Sequence, residues 1–300
     1  MSYDVIIVGG GPAGLSAALV LGRARKRVLL VDCGEPRNAA SERMYGFVTW
    51  DGAPSAEFRN IARKQLETYP TVAIREARAS HIEGRVDDFV VLFEGGGANS
   101  ARRVLLCLGI VDEMLDLPGY RQLWGKAVFG CPYCHGWEMR DRALGYLATT
   151  SASTSVATLL KAWSSQVTLF MNGRGDELSE SGRSALQLAG VSIQYEPVDA
   201  LVVQPGDETG LAGLRLESGA IAECRGLFVE PQQRQVGLVQ GLGVRMQGSA
   251  VWVDEQQQTS RPGISAAGDL ATHTHGALAA AAAGSTAAHA INESLTAPRR

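Results

Sequence analysis

The run from Asp4 to Leu21, D-V-I-I-V-G-G-G-P-A-G-L-S-A-A-L-V-L, constrains the fold more than any other stretch. Asp4 to Val8 is a short β-branched run of the kind buried in a parallel sheet. Gly9, Gly11 and Gly14 follow as G-x-G-x-x-G, with Pro12 and Ala13 inside the motif, and Ala13 to Leu21 reads as a helix. Strand, glycine turn and helix stand in the order a dinucleotide site requires. Glycines let the backbone close on a pyrophosphate, and the free N–H groups and dipole of a helix N-terminus favour an anion there. A second strand, Arg27 to Val31, ends at Asp32, 18 residues past Gly14. A carboxylate at that point suits a ribose diol rather than a 2'-phosphate.

The glycine motif alone does not separate FAD from NAD, and the far end of the chain narrows the choice. Thr259 to Asp269, T-S-R-P-G-I-S-A-A-G-D, reads as a turn and a strand of small residues closing on Gly268-Asp269. An alanine-rich helix is expected over Gly276 to Ile291, with Gly276 and Ala277 at its start facing a flavin; simple helix packing explains the alanines equally. Leu105 to Gly109 reads as a buried strand returning to this first domain, with Cys107 in the core and Gly109 beside the cofactor. Leu117-Pro118-Gly119 then marks a crossover. A second βαβ unit follows: strand Ala143 to Thr149, helix Ser153 to Trp163, strand Val167 to Met171. Gln232 to Arg234 and Gly241 to Gly243 suggest the return. The expected fold is α/β, with two Rossmann-like (doubly wound) domains. Residues 1–116 and 244–300 are expected to form a discontinuous FAD-binding domain, and 117–243 an inserted second α/β domain, which the resemblance given below implies is a degenerate NADPH-type domain.

The inserted domain carries Phe129 to Glu138, F-G-C-P-Y-C-H-G-W-E. Cys131 and Cys134, two residues apart at a helix start, can close into a disulfide and open again, and a helix N-terminus favours the reactive thiolate. Three other readings stay open. C-x-x-C-H also matches haem attachment, C-x-x-C can be half of a zinc site, and two thiols can be buried without chemistry. Zinc needs two further ligands, and Cys33, Cys107 and Cys224 are isolated, so no metal is expected. Haem attachment needs export, and the opening M-S-Y-D lacks a basic n-region. Redox chemistry is the favoured reading, with cytoplasmic location as the default. A formal net charge of -3 with no basic run argues against nucleic acid or an anionic membrane as partner. No stretch of about 18 apolar residues is present, so a spanning helix is not expected.

Together, G-G-G-P-A-G at 9–14, the C-x-x-C at 131–134 and A-A-G-D at 266–269 resemble the low-molecular-weight thioredoxin reductases over essentially the whole chain. The resemblance implies FAD as cofactor, a homodimer, Cys134 as the flavin-side thiol and Cys131 as the thiol that exchanges with substrate. Where those reductases carry a glycine-rich second turn, this chain reads Leu147-Ala148-Thr149-Thr150-Ser151-Ala152. Where they carry a basic cluster for NADPH, it reads Met171-Asn172-Gly173, with no basic residue before Arg174. Side chains at such a turn obstruct a pyrophosphate. His135 stands where the reductases usually carry an acid.

With those departures the chain is similar to the flavin dithiol oxidases that close disulfides in natural products such as gliotoxin, holomycin and romidepsin. That similarity implies oxidation of a small dithiol through Cys131 and Cys134, with O2 as acceptor and hydrogen peroxide as product. His135, with an ordinary pKa near 6.5, is the candidate base. Tyr45, Phe47, Trp50, Tyr133 and Trp137 are candidates for an apolar substrate pocket, with ordinary core as the alternative, and His273 and His275 for the flavin side. Two other functions remain: a thioredoxin reductase-like enzyme using NADPH or ferredoxin, and a non-catalytic flavoprotein that senses redox state.

Overall fold

A computed structural model describes residues 2–149 and 153–296. The chain forms two compact units. The first holds the chain up to Ala39, Gly46–Val111 and the chain from Gln233 onward; the second holds Ala40–Tyr45 and Asp112–Gln232. The crossings therefore fall after 111 and 232, against 116 and 243 from the sequence. Apolar burial sets the difference: Met114 and Leu115 pack on the second unit's core, while Val239 and Leu242 are buried in the first.

In the first unit, β1 (Ser2–Val8), α1 (Pro12–Arg23) and β2 (Val28–Asp32) form the expected strand, turn, helix and strand. Helix α2 (Ser55–Leu66) leads to β3 (Val72–Glu76), and β4 (Ala79–Arg85), β5 (Asp88–Phe93) and β6 (Ala98–Leu106) make an antiparallel meander. The sheet order is β3-β2-β1-β6-β5-β4. Strands β1 to β3 and β6 pair in parallel where they meet, and Val5, Ile6 and Ile7 are completely buried, as strands covered on both faces must be. The strand expected at Leu105 to Gly109 is the end of β6, which starts at Ala98 and stops at Leu106; Gly109, at φ 67°, turns the chain away.

The second unit contains β7 (Val128–Phe129), the one-turn helix α3 (Pro132–His135), β8 (Leu144–Leu147), α4 (Ser153–Leu159) and β9 (Val167–Phe170). Beyond them lie α5 (Glu180–Leu188), β10 (Ser192–Gln194) and the antiparallel strands β11 (Val198–Gln204), β12 (Asp207–Leu216) and β13 (Ile221–Glu223). With β14 (Gly226–Val229), the parallel sheet runs β7-β14-β8-β9-β10. The strand expected over Ala143 to Thr149 is shorter, and the helix expected over Ser153 to Trp163 tightens into a 3-10 turn at Leu160–Ala162. Of the glycine-free turn, residues 150–152 lie outside the described residues.

The chain then returns to the first sheet as β15 (Ile264–Ala266), parallel to the far end of β6, and closes with α6 (Ala277–Thr296), longer than the sequence suggested. Packing accounts for the small residues of α6, because Gly284 lies against the start of α1. A Cβ built at Gly284 would stand 2.0 Å from the Ala13 carbonyl oxygen. No helix among the described residues is long and apolar enough to cross a membrane.

Gly284→Ala should therefore push α6 off α1. Overpacking of this kind costs on the order of 1–3 kcal/mol, so the thermal midpoint should fall by several degrees in a calorimetric scan. An unchanged midpoint would show that the two helices do not need this close approach.

Candidate active site

The glycine turn between β1 and α1 is built by three close approaches. A Cβ at Gly9 (φ 114°) would meet the Cys107 carbonyl at 2.1 Å, one at Gly14 the Gly9 carbonyl at 1.9 Å, and one at Gly10 the Asp32 carboxylate at 2.5 Å. Gly10 was not singled out by the motif; the nearness of Asp32 explains it. At Gly11, by contrast, nothing lies within 4 Å of an added Cβ. Gly11 is the N-cap of α1, Pro12 is in its first turn, and no side chain caps the helix. Open space before uncapped N–H groups at the start of a twelve-residue helix is what a pyrophosphate requires, so these residues fit a dinucleotide.

The C-terminal residues converge on the same turn. Gly268 (φ 88°) lies where an added Cβ would be 3.2 Å from the Ala13 Cβ and 3.6 Å from that of Ala280. Asp269 accepts a hydrogen bond from Arg37 Nη1 at 2.8 Å. Gly276 and Gly109 also have nothing within 4 Å of an added Cβ, and Ala277 begins α6. Asp32 ends β2 as expected, and its carboxylate takes a hydrogen bond from Arg63 Nη2 at 2.5 Å. Arg63 belongs to α2, 31 residues away, and no sequence signal marked it. Exposed His273 lies beside the Gly248 turn, at 3.7 Å from an added Cβ, and His275 is half-buried.

In the second unit Cys131 and Cys134 are joined in a disulfide, with Cα atoms 5.3 Å apart. Cys131 is the N-cap of α3, and its Sγ accepts a hydrogen bond from the Cys134 N–H at 3.2 Å. The expected helix is a single turn, so little dipole accumulates, and this one N–H is the local support for a Cys131 thiolate. The remaining cysteines stay apart: Cys33 is exposed, and burial raises the thiol pKa of Cys107 and Cys224, the latter to about 12. Among the described residues no group of three or more His, Cys, Asp or Glu could hold a metal ion.

His135 is clamped at the end of α3. Phe129 stacks on its ring at 4.3 Å, with planes 16° apart, and Tyr45 meets it edge-on at 5.9 Å. Nε2 lies 3.0 Å from Ser41 Oγ, and Nδ1 is buried with no hydrogen-bond partner. Burial disfavours the imidazolium and lowers the pKa to about 4. This corrects the expectation of a base with an ordinary pKa near 6.5: His135 is neutral at physiological pH. Ser41 escaped notice in the sequence because 94 residues separate it from His135.

The aromatic candidates do not share one set of ring contacts. Phe47 and Trp50 pack on Phe58, Tyr133 meets Trp163 edge-on, and Trp137 lies under the Arg140 guanidinium. Tyr133 and Trp137 are 74% and 66% exposed, so core packing does not account for them.

At the strand ends of this second sheet, side chains occupy the backbone groups. Thr149 Oγ1 donates to the Glu230 carbonyl at 2.7 Å, and Asn172 Oδ1 accepts from the Val198 N–H at 2.9 Å. Arg174 is paired with Glu177 at 2.9 Å.

Comparison with known proteins places the chain. A family model described as pyridine nucleotide-disulphide oxidoreductase matches residues 3–287. "Thioredoxin reductase sirT" of Leptosphaeria maculans is 30% identical over 97% of this chain and 93% of its own length. "Thioredoxin reductase tcpT" of Claviceps purpurea is 34% identical over 89% of this chain and 86% of its own. The crystal structure of an oxidoreductase from Agrobacterium tumefaciens covers 100% of both chains at a TM-score of 0.91 and 35% identity.

The state of His135 is open to measurement. Its folded pKa lies below the unfolded value, so the unfolded chain binds more protons between about pH 6.5 and 4. Its contribution should therefore cost stability as pH falls through that window. His135→Gln should lose less stability than wild type between pH 6.5 and 4 in urea titrations; parallel losses would show that His135 titrates normally.

Proposed function

The chain belongs to the pyridine nucleotide-disulphide oxidoreductase family, and on that premise we propose that this thioredoxin reductase-like flavoprotein is an FAD-dependent dithiol oxidase that closes a disulfide in a small molecule. Family membership carries a flavin and chemistry at sulfur. The direction of electron flow rests on one observation, the side-chain bonds at the strand ends of the second sheet. Thr149 bound to Glu230 and Asn172 bound to Val198 use the positions where a pyridine nucleotide would need bare backbone and a basic residue. The reductase names of the relatives favour a second reading, in which NADPH or ferredoxin drives the same pair in the opposite sense.

In the oxidase reading, Gly9, Gly11, Pro12, Ala13 and Gly14 take the FAD pyrophosphate, and Asp32 the ribose. Gly109, Gly268, Asp269, Gly276 and Ala277 hold the remainder. The chemistry FAD supplies when bound is acceptance of two electrons and their return to O2, with hydrogen peroxide as product.

The chain's own cysteines do the sulfur chemistry. A substrate thiolate attacks Cys131 Sγ; the Cys131–Cys134 bond breaks, and Cys134 leaves as thiolate. The second substrate thiol, deprotonated, attacks the substrate sulfur of the mixed disulfide. The cyclic disulfide departs, and Cys131 leaves as a thiolate that the Cys134 N–H stabilises. The substrate has lost two electrons and two protons, and the pair has gained the electrons.

Cys131→Ser should abolish dithiol turnover, at least 100-fold below wild type by oxygen uptake with matching peroxide release. Cys134→Ser should do the same and, when given the cyclic disulfide product, should open it through the Cys131 thiolate and retain it as a mixed disulfide, visible as the product's added mass in intact-protein spectra. Turnover that survives Cys131→Ser would remove the proposal.

A further inference from the structure

The segment 40–45 packs with the second unit although it follows β2 of the first in sequence. Within it, Ser41 Oγ makes two contacts: 3.1 Å to the Arg43 carbonyl oxygen and 3.0 Å to His135 Nε2. A hydroxyl has one proton to give, and a carbonyl can only accept. If the proton goes to Arg43, the oxygen lone pair must accept from an Nε2–H, and Nδ1 is left as a bare lone pair. The opposite arrangement sends the hydroxyl proton to Nε2, forfeits the Arg43 contact and buries an unpaired Nδ1–H. Nδ1 is buried without a partner, and an orphaned donor is rarer in native proteins than an under-used acceptor. The first arrangement makes one hydrogen bond more and leaves no donor stranded. Because Phe129 and Tyr45 clamp the ring, Ser41 decides the tautomer rather than ring rotation.

We propose that Ser41 is a positioning residue that holds His135 as its Nε2–H tautomer and thereby reserves Nδ1 as the hydrogen-bond acceptor for a thiol of the reduced Cys131–Cys134 pair. While the disulfide is closed, neither sulfur has a proton to offer, which accounts for an Nδ1 with no partner in the oxidised protein. Reduction creates S–H groups on the single helical turn that Cys131 caps and His135 ends. The thiol proton rests on sulfur, hydrogen-bonded to Nδ1. It moves to Nδ1 as a thiolate is drawn off and returns when a thiol is needed; no electrons move in that step. The buried, neutral ring suits such an acceptor better than it suits a free base. This assignment rests on the reading of Cys131–Cys134 as the reactive pair.

The test uses the holoenzyme labelled with 15N-histidine, its five histidines resolved by a His135→Gln spectrum. In the oxidised wild type, the proton should be on Nε2, and Nδ1 should show the shift of an unprotonated nitrogen. Anaerobic dithiothreitol should move the Nδ1 resonance toward the hydrogen-bonded range. Ser41→Ala should lose the single tautomer and lower kcat about tenfold with KM unchanged, a fraction of what acid–base catalysis contributes. Ser41→Thr, which keeps the hydroxyl, should restore both. A proton on Nδ1 in wild type, an Nδ1 shift blind to reduction, or a Ser41→Ala protein with unchanged tautomer or unchanged kcat would overturn the assignment. The tautomer is read without turnover, so failure here is distinguishable from failure of the oxidase reading, which the Cys131→Ser assay decides.

Discussion

Three contacts between glycines and backbone carbonyls set the geometry of the first unit. Gly9 lies against Cys107, Gly14 against Gly9, and Gly284 against Ala13. The first ties the turn to β6, the second folds the start of α1 back over the end of β1, and the third seats α6 on α1. A Cβ at any of the three would lie about 2 Å from a carbonyl oxygen, well inside any real contact. The reward for this closeness is at Gly11, where the helix start stays open and its N–H groups uncapped. Burial follows from the same contacts: the strands beneath the turn are covered on both faces, and their apolar area supplies the stability that the exposed helix start does not.

The second unit repeats the parallel βαβ plan and spends its strand ends differently. At those ends Thr149 donates to the Glu230 carbonyl and Asn172 accepts from the Val198 N–H. Its disulfide lies at one helical turn. A turn that short contributes little dipole, which leaves the Cys134 N–H as the local hydrogen-bond donor to Cys131 Sγ. Burial keeps His135 uncharged, and an uncharged ring with one bonded nitrogen can exchange hydrogen bonds with a thiol without stabilising a permanent ion pair.

Much of this was legible in the residues. The alternation of apolar strand, glycine turn and alanine-rich helix located β1, α1 and β2, because local periodicity and the φ tolerance of glycine determine them. The Cys131 and Cys134 spacing gave the disulfide for the same local reason. What escaped depends on contacts between distant stretches. Arg63 reaches Asp32 from α2, Ser41 reaches His135 across 94 residues, and Gly10 is small because Asp32 leans over it. The pKa of His135 was misjudged because Phe129 and Tyr45 bury its ring, and nothing in C-P-Y-C-H announces that environment. The residues did not set the length of α3: the chain leaves the helix after His135 and turns at Gly136.

The central claim is that electrons enter this protein through thiols. Anaerobic stopped-flow mixing of the purified flavoprotein with a small dithiol, and separately with NADPH, tests it directly through the visible absorbance of the oxidised flavin. The account predicts rapid bleaching by the dithiol and none by NADPH on the same timescale. Rapid bleaching by NADPH would contradict it.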